Sequence, residues 1–379
     1  MLKTLTATIA LFALLLVWPA AVRAQDSTYL ARLAATAYDQ AAAAIADDPA
    51  PGISVTVLLP SGHWIDATAG LADRVSHTVV SPDTRFLSGS IGKSVTGLIA
   101  AELASEGVID LDAPISTWLS GQPFWPDLRN AEAITLRMLL NHTAGVPDYL
   151  EDPGFFLSGF LRGGRGYTPA ELVGFVADEA PINTPGTAFS YSDTHYILIG
   201  LILEAATGQD YHSLVRERVI EPLGLTDTEV LSGRDHDRLA SGHVRGVFGL
   251  SATARNHRLN HNLDHEWAAG GLVTTPGDLA RFYAALGSGE LSAPGAQMRA
   301  NAFVVDAERG SSYGLGLYVR TYEDGAFRIA HGGDFGGYRS AAVYDSKTGI
   351  TIAVQANGKS FEAPDFAFAL MDEIAAITP

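Results

Sequence analysis

A serine three residues before a lysine, Ser90 and Lys93, opens an apolar run and is the pair in this chain best placed to do chemistry. Ile91, Val95, Leu98, Ile99 and Leu103 recur at helical spacing, and Gly107 closes the run as a helix-ending residue. Ser90 therefore stands at a helix N-terminus, where free backbone N–H groups and the positive end of the dipole favour a developing negative charge. The spacing turns Lys93 towards the same face. A lysine held neutral by burial can take the serine proton, making the hydroxyl a nucleophile for acyl transfer without a histidine. Two plainer readings share these letters. One is a capping Ser90 beside a solvated Lys93. The other is a phosphate-binding loop ending in Gly92-Lys93-Ser94, but that loop needs a glycine where Leu87 stands.

Phe189-Ser190-Tyr191-Ser192-Asp193 leads into the apolar helix Tyr196 to Leu203. Ser192 or Asp193 caps this helix on the bland reading. On the functional one, Tyr191 is a phenol just outside a helix start that relays protons if Lys93 lowers its pKa. Ala330-His331-Gly332-Gly333-Asp334 follows an expected strand. Its paired glycines let a substrate lie against the backbone and free an N–H near Asp334 to join that of Ser90 in an oxyanion hole. Lys347-Thr348-Gly349 is the rival for this role. It follows Asp345-Ser346 between two strands and reads as a hairpin turn, so the His331 segment is preferred.

With these elements in this order, the chain resembles the serine β-lactamase-like family of class C β-lactamases, D-alanyl-D-alanine carboxypeptidases, D-aminopeptidases and esterases. Leu139-Leu140-Asn141-His142-Thr143-Ala144-Gly145, Pro222 to Thr228, Ala269 to Thr275 and Tyr313-Gly314-Leu315-Gly316 also look like the family's stretches. The resemblance covers nearly all of the chain after its first residues. It implies Ser90 as nucleophile, Lys93 as its activator, Tyr191 as general base and proton relay, and His331-Gly332-Gly333 as the strand-edge motif. Two positions depart from the pattern. Asp193 stands where the family usually has asparagine, and an added carboxylate near Lys93 favours the protonated lysine and disfavours substrates with a carboxylate of their own. His331 stands where true β-lactamases of this group have lysine, so a fixed cation is missing at neutral pH. Both departures point to esters, amides or peptides without a free carboxylate next to the scissile bond, acted on without metal or organic cofactor.

The elements that must position these residues fall into three blocks. Tyr29 to Ile45 reads as a first helix, and Ile53 to Leu59 and His63 to Ala69 as a hairpin turning at Pro60-Ser61-Gly62. From Ser90 to about Gly287 the periodic segments are helical: Ser90 to Glu106, Thr135 to Leu140, Thr168 to Ala177, Thr194 to Ala206, Tyr211 to Ile220 and Thr275 to Leu286. Strands return at Tyr313 to Arg320, Phe327 to Ala330, Ser340 to Tyr344 and Ile350 to Val354, before a last helix over Asp365 to Ile374. The expected fold is α+β: an antiparallel sheet built by both chain ends (about 25–89 and 300–379) with a large helical insertion (about 90–299) and a cleft between the lobes.

The chain has 379 residues, 47% of them hydrophobic and 18% charged, with no cysteine. That composition supports a large core and excludes disulfides and thiolate metal sites. The formal net charge of −17 makes nucleic acid an improbable partner. Lys3, the apolar run Ile9 to Val17 and the small-residue site at Val22-Arg23-Ala24 predict a signal peptide over residues 1–24 and a mature chain from Gln25, exported to a periplasm or the medium, without a transmembrane span. The expected partner is a small-molecule or peptide substrate, and the oligomeric state is left open.

Three other groups carry weaker signals. His257, His261 and His265 have a metal-ligand spacing, but the residues between them are mostly polar and read as a solvated loop. Phe155, Phe156, Phe160 and Tyr167 either wall the cleft or bury one another. His142 and His195 sit at helix edges and read as structural.

Overall fold

Two strands near the N-terminus, β1 (Gly52–Leu58) and β2 (Trp64–Asp73), form a hairpin in the sheet, with Gly62 at φ 82° in the turn between them. The computed structural model describes residues 20–46, 51–162, 165–246, 249–300 and 302–378. A helix, α1 (Ala20–Ala46), precedes β1 and runs through the expected cleavage site, while residues 1–19 of the expected leader lie outside the described residues. β3 (Thr78–Val79) and β4 (Phe86–Leu87) then lead to the turn Gly89–Ile91 and helix α2 (Gly92–Ser105).

The middle of the chain is largely helical. It contains α3 (Asp193–Thr207) and α4 (Pro276–Gly287), with the short strands β5 (Glu229–Val230) and β6 (Leu272–Thr274). β6 pairs with β4 and with β5, tying the serine turn to the helical insertion. Tyr211 to Ile220 is α-helical only to Val215 and continues as a wider π turn over Arg216–Ile220.

The C-terminal strands are β7 (Phe303–Asp306), β8 (Ser311–Tyr313), β9 (Tyr318–Thr321), β10 (Phe327–Phe335), β11 (Tyr338–Asp345) and β12 (Ile350–Ala356), followed by α5 (Ala363–Ile377). The nine-stranded sheet runs β7-β8-β9-β10-β11-β12-β1-β2-β3, antiparallel throughout, so β1 from one chain end lies beside β12 from the other. The strand expected over Tyr313 to Arg320 is two strands. Gly314 to Leu317 leave the sheet, bury Leu315 and Leu317, and accept a 2.6 Å hydrogen bond from Ser94 Oγ at the Gly316 carbonyl. That loop docks on α2, which outweighs strand propensity.

Alternation gives the sheet two buried faces. Val55, Val57, Val343, Ile352 and Val354 pack under α1 and α5, whereas Ala342, Tyr344 and Ala353 join the core of the helical insertion. Among the described residues no helix is long and apolar enough to cross a membrane.

Candidate active site

Ser90 is half-buried in the turn between β4 and α2, pressed against β10. Gly89 makes that approach feasible, because its φ is 56° and a Cβ there would meet the Asp334 backbone nitrogen at 3.0 Å. Two hydroxyls pin the turn from behind. Ser88 Oγ donates to the Gly270 carbonyl at 2.8 Å, and Ser340 Oγ to the Ser88 carbonyl at 2.5 Å. β9 ends at Tyr318 opposite Ala330, so His331, Gly332, Gly333 and Asp334 run past it with one strand edge free beside Ser90. The Asp334 backbone nitrogen thus lies against the turn that carries Ser90.

Lys93, the second residue of α2 and one turn after Ser90, is fully buried. Its ammonium donates to Ser90 Oγ at 3.0 Å, to the Ala269 carbonyl at 2.7 Å and to the Asp193 carboxylate. Three acceptors therefore surround its nitrogen, one for each proton an ammonium can donate. Tyr191 lies on the other side. Its ring centre is 5.0 Å from Lys93 Nζ and its hydroxyl hydrogen-bonds Ser90. Burial, then the charge of Asp193, pushes the phenol well above its ordinary range, and the Ser90 hydrogen bond opposes this only in part. This corrects the expectation of a lowered phenol.

Asp193 lies beside Lys93, where its carboxylate was expected; it is buried there and is not among the residues that line the cleft at Ser90. Neither it nor Ser192 caps α3 through its side chain; Asp148 does so, accepting the Asp193 N–H at 2.9 Å. Burial and the neighbouring Asp193 raise the Asp148 carboxyl to about 6. Glu266, buried just before Ala269, is pushed well above its ordinary range by burial and by Asp193. These two acids were missed from sequence. Asp148 stands three positions after Gly145 and Glu266 three before Ala269, both at the edges of stretches that were already singled out.

His331 is buried, and its hydrogen bonds fix its form. Nδ1 faces the Gly332 carbonyl at 2.6 Å and must donate, so Nε2 accepts from the Tyr313 hydroxyl at 2.8 Å. Burial, and then Lys93, lowers it to about 3, leaving a neutral ring. His142 and His195 pair through their Nδ1 atoms at 3.1 Å. His195 Nε2 accepts from the Val146 N–H and His142 Nδ1 from the Ser192 N–H, so the bridging proton belongs to His195. His142 in turn stacks on Tyr191 with ring centres 4.1 Å apart. The two histidines hold the tyrosine from behind.

The remaining candidates fall elsewhere. Lys347-Thr348-Gly349 turns between β11 and β12, with Gly349 at φ 69°. His257 lies in a tight turn between the short strands Ala254–Arg255 and Arg258–Leu259, and His265 in the turn Asp264–Glu266, so the three histidines share no helix. Phe155 packs on Tyr149, Tyr167 and Phe175, which favours a segment that buries its own aromatics; the side chains of Phe156 and Phe160 lie outside the described residues.

Comparison with known proteins agrees with this arrangement. A family model described as Beta-lactamase matches residues 39–376. A D-stereospecific amidohydrolase from Streptomyces sp. superposes with a TM-score of 0.77 at 28% identity, covering 91% of this chain and 99% of that one. The D-amino acid amidase from Ochrobactrum anthropi SV3, complexed with L-phenylalanine amide, gives a TM-score of 0.75 at 26% identity over 91% and 98% of the two chains. Esterase EstB of Burkholderia gladioli is 32% identical over 173 residues, 43% of each protein. The chain spans 45–61% of the length of the first curated relatives it matches.

Proposed function

The chain belongs to the beta-lactamase family, and from that premise we propose that it is a serine hydrolase forming an acyl-enzyme on Ser90 from an ester or amide. The observation that carries this is the serine hydroxyl held between Lys93 Nζ, at 3.0 Å, and the Tyr191 phenol, on the free edge of β10. In the proposed sequence Ser90 Oγ attacks the carbonyl carbon as its proton moves to Lys93 and a lysine proton moves to Asp193. The carbonyl oxygen takes up the negative charge beside the Ser90 and Asp334 N–H groups. Tyr191, held as a phenol, is in the form that donates, and it protonates the departing oxygen or nitrogen. Water then attacks the acyl carbon, its proton returning to Tyr191, and Ser90 leaves with a proton from Lys93, which takes back the one held by Asp193.

The charge of the site supports substrates without a carboxylate next to the scissile bond. Asp193, Asp148 and Glu266 crowd Lys93, and His331 supplies no cation. Simple esters and amino-acid amides, including D-amino-acid amides like those named for the structural relatives, fit better than penicillins. We further infer export with cleavage before Gln25, from the charged and apolar first residues; protein found only in the cytoplasm would contradict export, and exported protein that still begins at Met1 would contradict cleavage.

The test is turnover of p-nitrophenyl acetate, D-phenylalanine amide and a chromogenic cephalosporin by wild type and Ser90→Ala. Ser90-dependent release from the first two, faster than from the third, is expected. Faster lactam turnover would overturn the substrate reading. A stable Ser90 adduct seen by intact mass, without turnover, would mean acylation that stalls.

A further inference from the structure

The cavity that opens at Ser90 and Tyr191 does not end there. It continues as one space of about 610 Å³ over the edge of β10 and beneath α5, with Ala330, Ala341 and Val343 on its floor and Ala367 and Phe368 on its roof. Arginines line it, although the whole chain carries a net charge of −17: Arg339 near Ser90, and Arg309, Arg320 and Arg328 farther along. Arg328 is already engaged, with Asp345 at 2.9 Å and Asp372 at 2.7 Å, and so is Arg339, with Asp334 at 3.2 Å. Arg309 reaches Asp306 only at 3.6 Å from an exposed position. Arg320 differs from these. It is exposed, lies over the Tyr322 ring at 5.3 Å, and has no carboxylate within ion-pair distance among the described residues.

We propose that this slot receives the leaving half of the substrate, and that this half is an alcohol or amine with an apolar body ending in a carboxylate held by Arg320. The proposal rests on the acyl-enzyme reading given above. Tyr191 protonates the departing atom, and Tyr191 and Tyr318 stand where the slot begins, so the slot lies on the leaving side of the scissile bond. Alanine and valine walls favour a saturated chain by removing it from water. The position of the cation sets the length. Arg320 pairs with Arg328, five positions along β10 from Gly333, which is roughly 16 Å at about 3.3 Å per residue, less the reach of the arginine side chain. Of the acids along the slot, Asp345 and Asp372 are engaged by Arg328 and Asp334 by Arg339, which leaves Glu362 at its margin and Asp324 in the adjoining cavity that Arg320 also lines; an anionic tail is thus accepted at Arg320, while an anion beside the carbonyl meets Asp193.

The test compares acetate esters of ω-hydroxyhexanoate and of hexanol, identical at the acyl group. Wild type is expected to hydrolyse the anionic ester with a kcat/KM about tenfold higher, the size of one good charge-assisted hydrogen bond. Arg320→Ala should collapse that ratio to near one, and Arg320→Glu should invert it. Equal turnover of the two esters by wild type, or a ratio unmoved by Arg320→Ala, would overturn the proposal. If no ester is turned over, the acyl-enzyme reading fails separately, and calorimetry of hexanoate with Ser90→Ala protein reads the slot directly. Binding that disappears on adding Arg320→Ala supports it, and no binding overturns it.

Discussion

Lys93 and Asp193 are buried as a pair, so the chemistry and the stability of the site are tied together. Removing one partner of a buried pair strands the other charge, at a cost of about 3–5 kcal/mol. Lys93→Ala is therefore expected to abolish ester hydrolysis and also to lower the urea midpoint. Lys93→Met combined with Asp193→Asn should recover most of the midpoint and none of the activity. A double variant as unstable as the single one would show that pairing is not the cause. Asp193 also holds the Tyr191 phenol up. Asp193→Asn removes that charge, so the alkaline limb of a pH–rate profile, where the phenol ionises, should move to lower pH; an unchanged limb would detach Tyr191 from it. Ser90, Lys93 and Tyr191 were legible in the sequence because each is defined by its immediate neighbours. Asp148 and Glu266 were not, since they meet Lys93 and Asp193 only through folding and neither carries a local pattern of its own.

The elements show where periodicity is a sound guide and where it fails. α2, α3 and α4 follow from apolar spacing within a residue or two. β10 was read as ending at Ala330 because His331-Gly332-Gly333-Asp334 does not alternate, yet it continues to Phe335 through its pairing with β11. Here the partner strand decides, and propensity does not. Gly333 shows why the residue is small: a Cβ would lie 2.0 Å from the Ser88 carbonyl oxygen. Gly333→Ala must push the serine turn off the strand. It is expected to cost about 2–3 kcal/mol of stability and most of the activity, measured by thermal melts and by p-nitrophenyl acetate turnover. Wild-type rates in this variant would mean that the turn does not need to touch the strand.

At the scale of the whole molecule, the buried neutral histidines govern the response to acid. His195 and His331 are lowered to about 3 and His265 to about 4, each first by burial. A histidine whose folded pKa lies below its unfolded value stabilises the fold above the unfolded value, and that stability is lost as pH falls towards the folded one. Between about pH 6.5 and 4 the loss should reach on the order of 2 kcal/mol per histidine at pH 5. Asp148, raised to about 6, acts in the opposite sense, because its folded form keeps a proton that the unfolded chain has released. A melting temperature that falls steadily from pH 6.5 to 4.5 is expected, and one that stays flat would contradict the neutral assignment of these rings.

The division between a sheet built from both chain ends and a helical insertion could be read from where the β-rich segments lie, although the strand order could not, since it depends on which edges meet in space. That order has a consequence for synthesis. A ribosome that has finished α4 has already made Ser90, Lys93, Tyr191 and Asp193, but not Asp334 or the rest of β10. β1 meanwhile waits for β12 with one side unpaired. The half-made chain therefore carries its nucleophile without the backbone that would steady an oxyanion, and β1 with only β2 beside it. Such a chain is chemically silent and aggregation-prone until its last strands emerge, and reactivity and solubility arrive together at the end of translation.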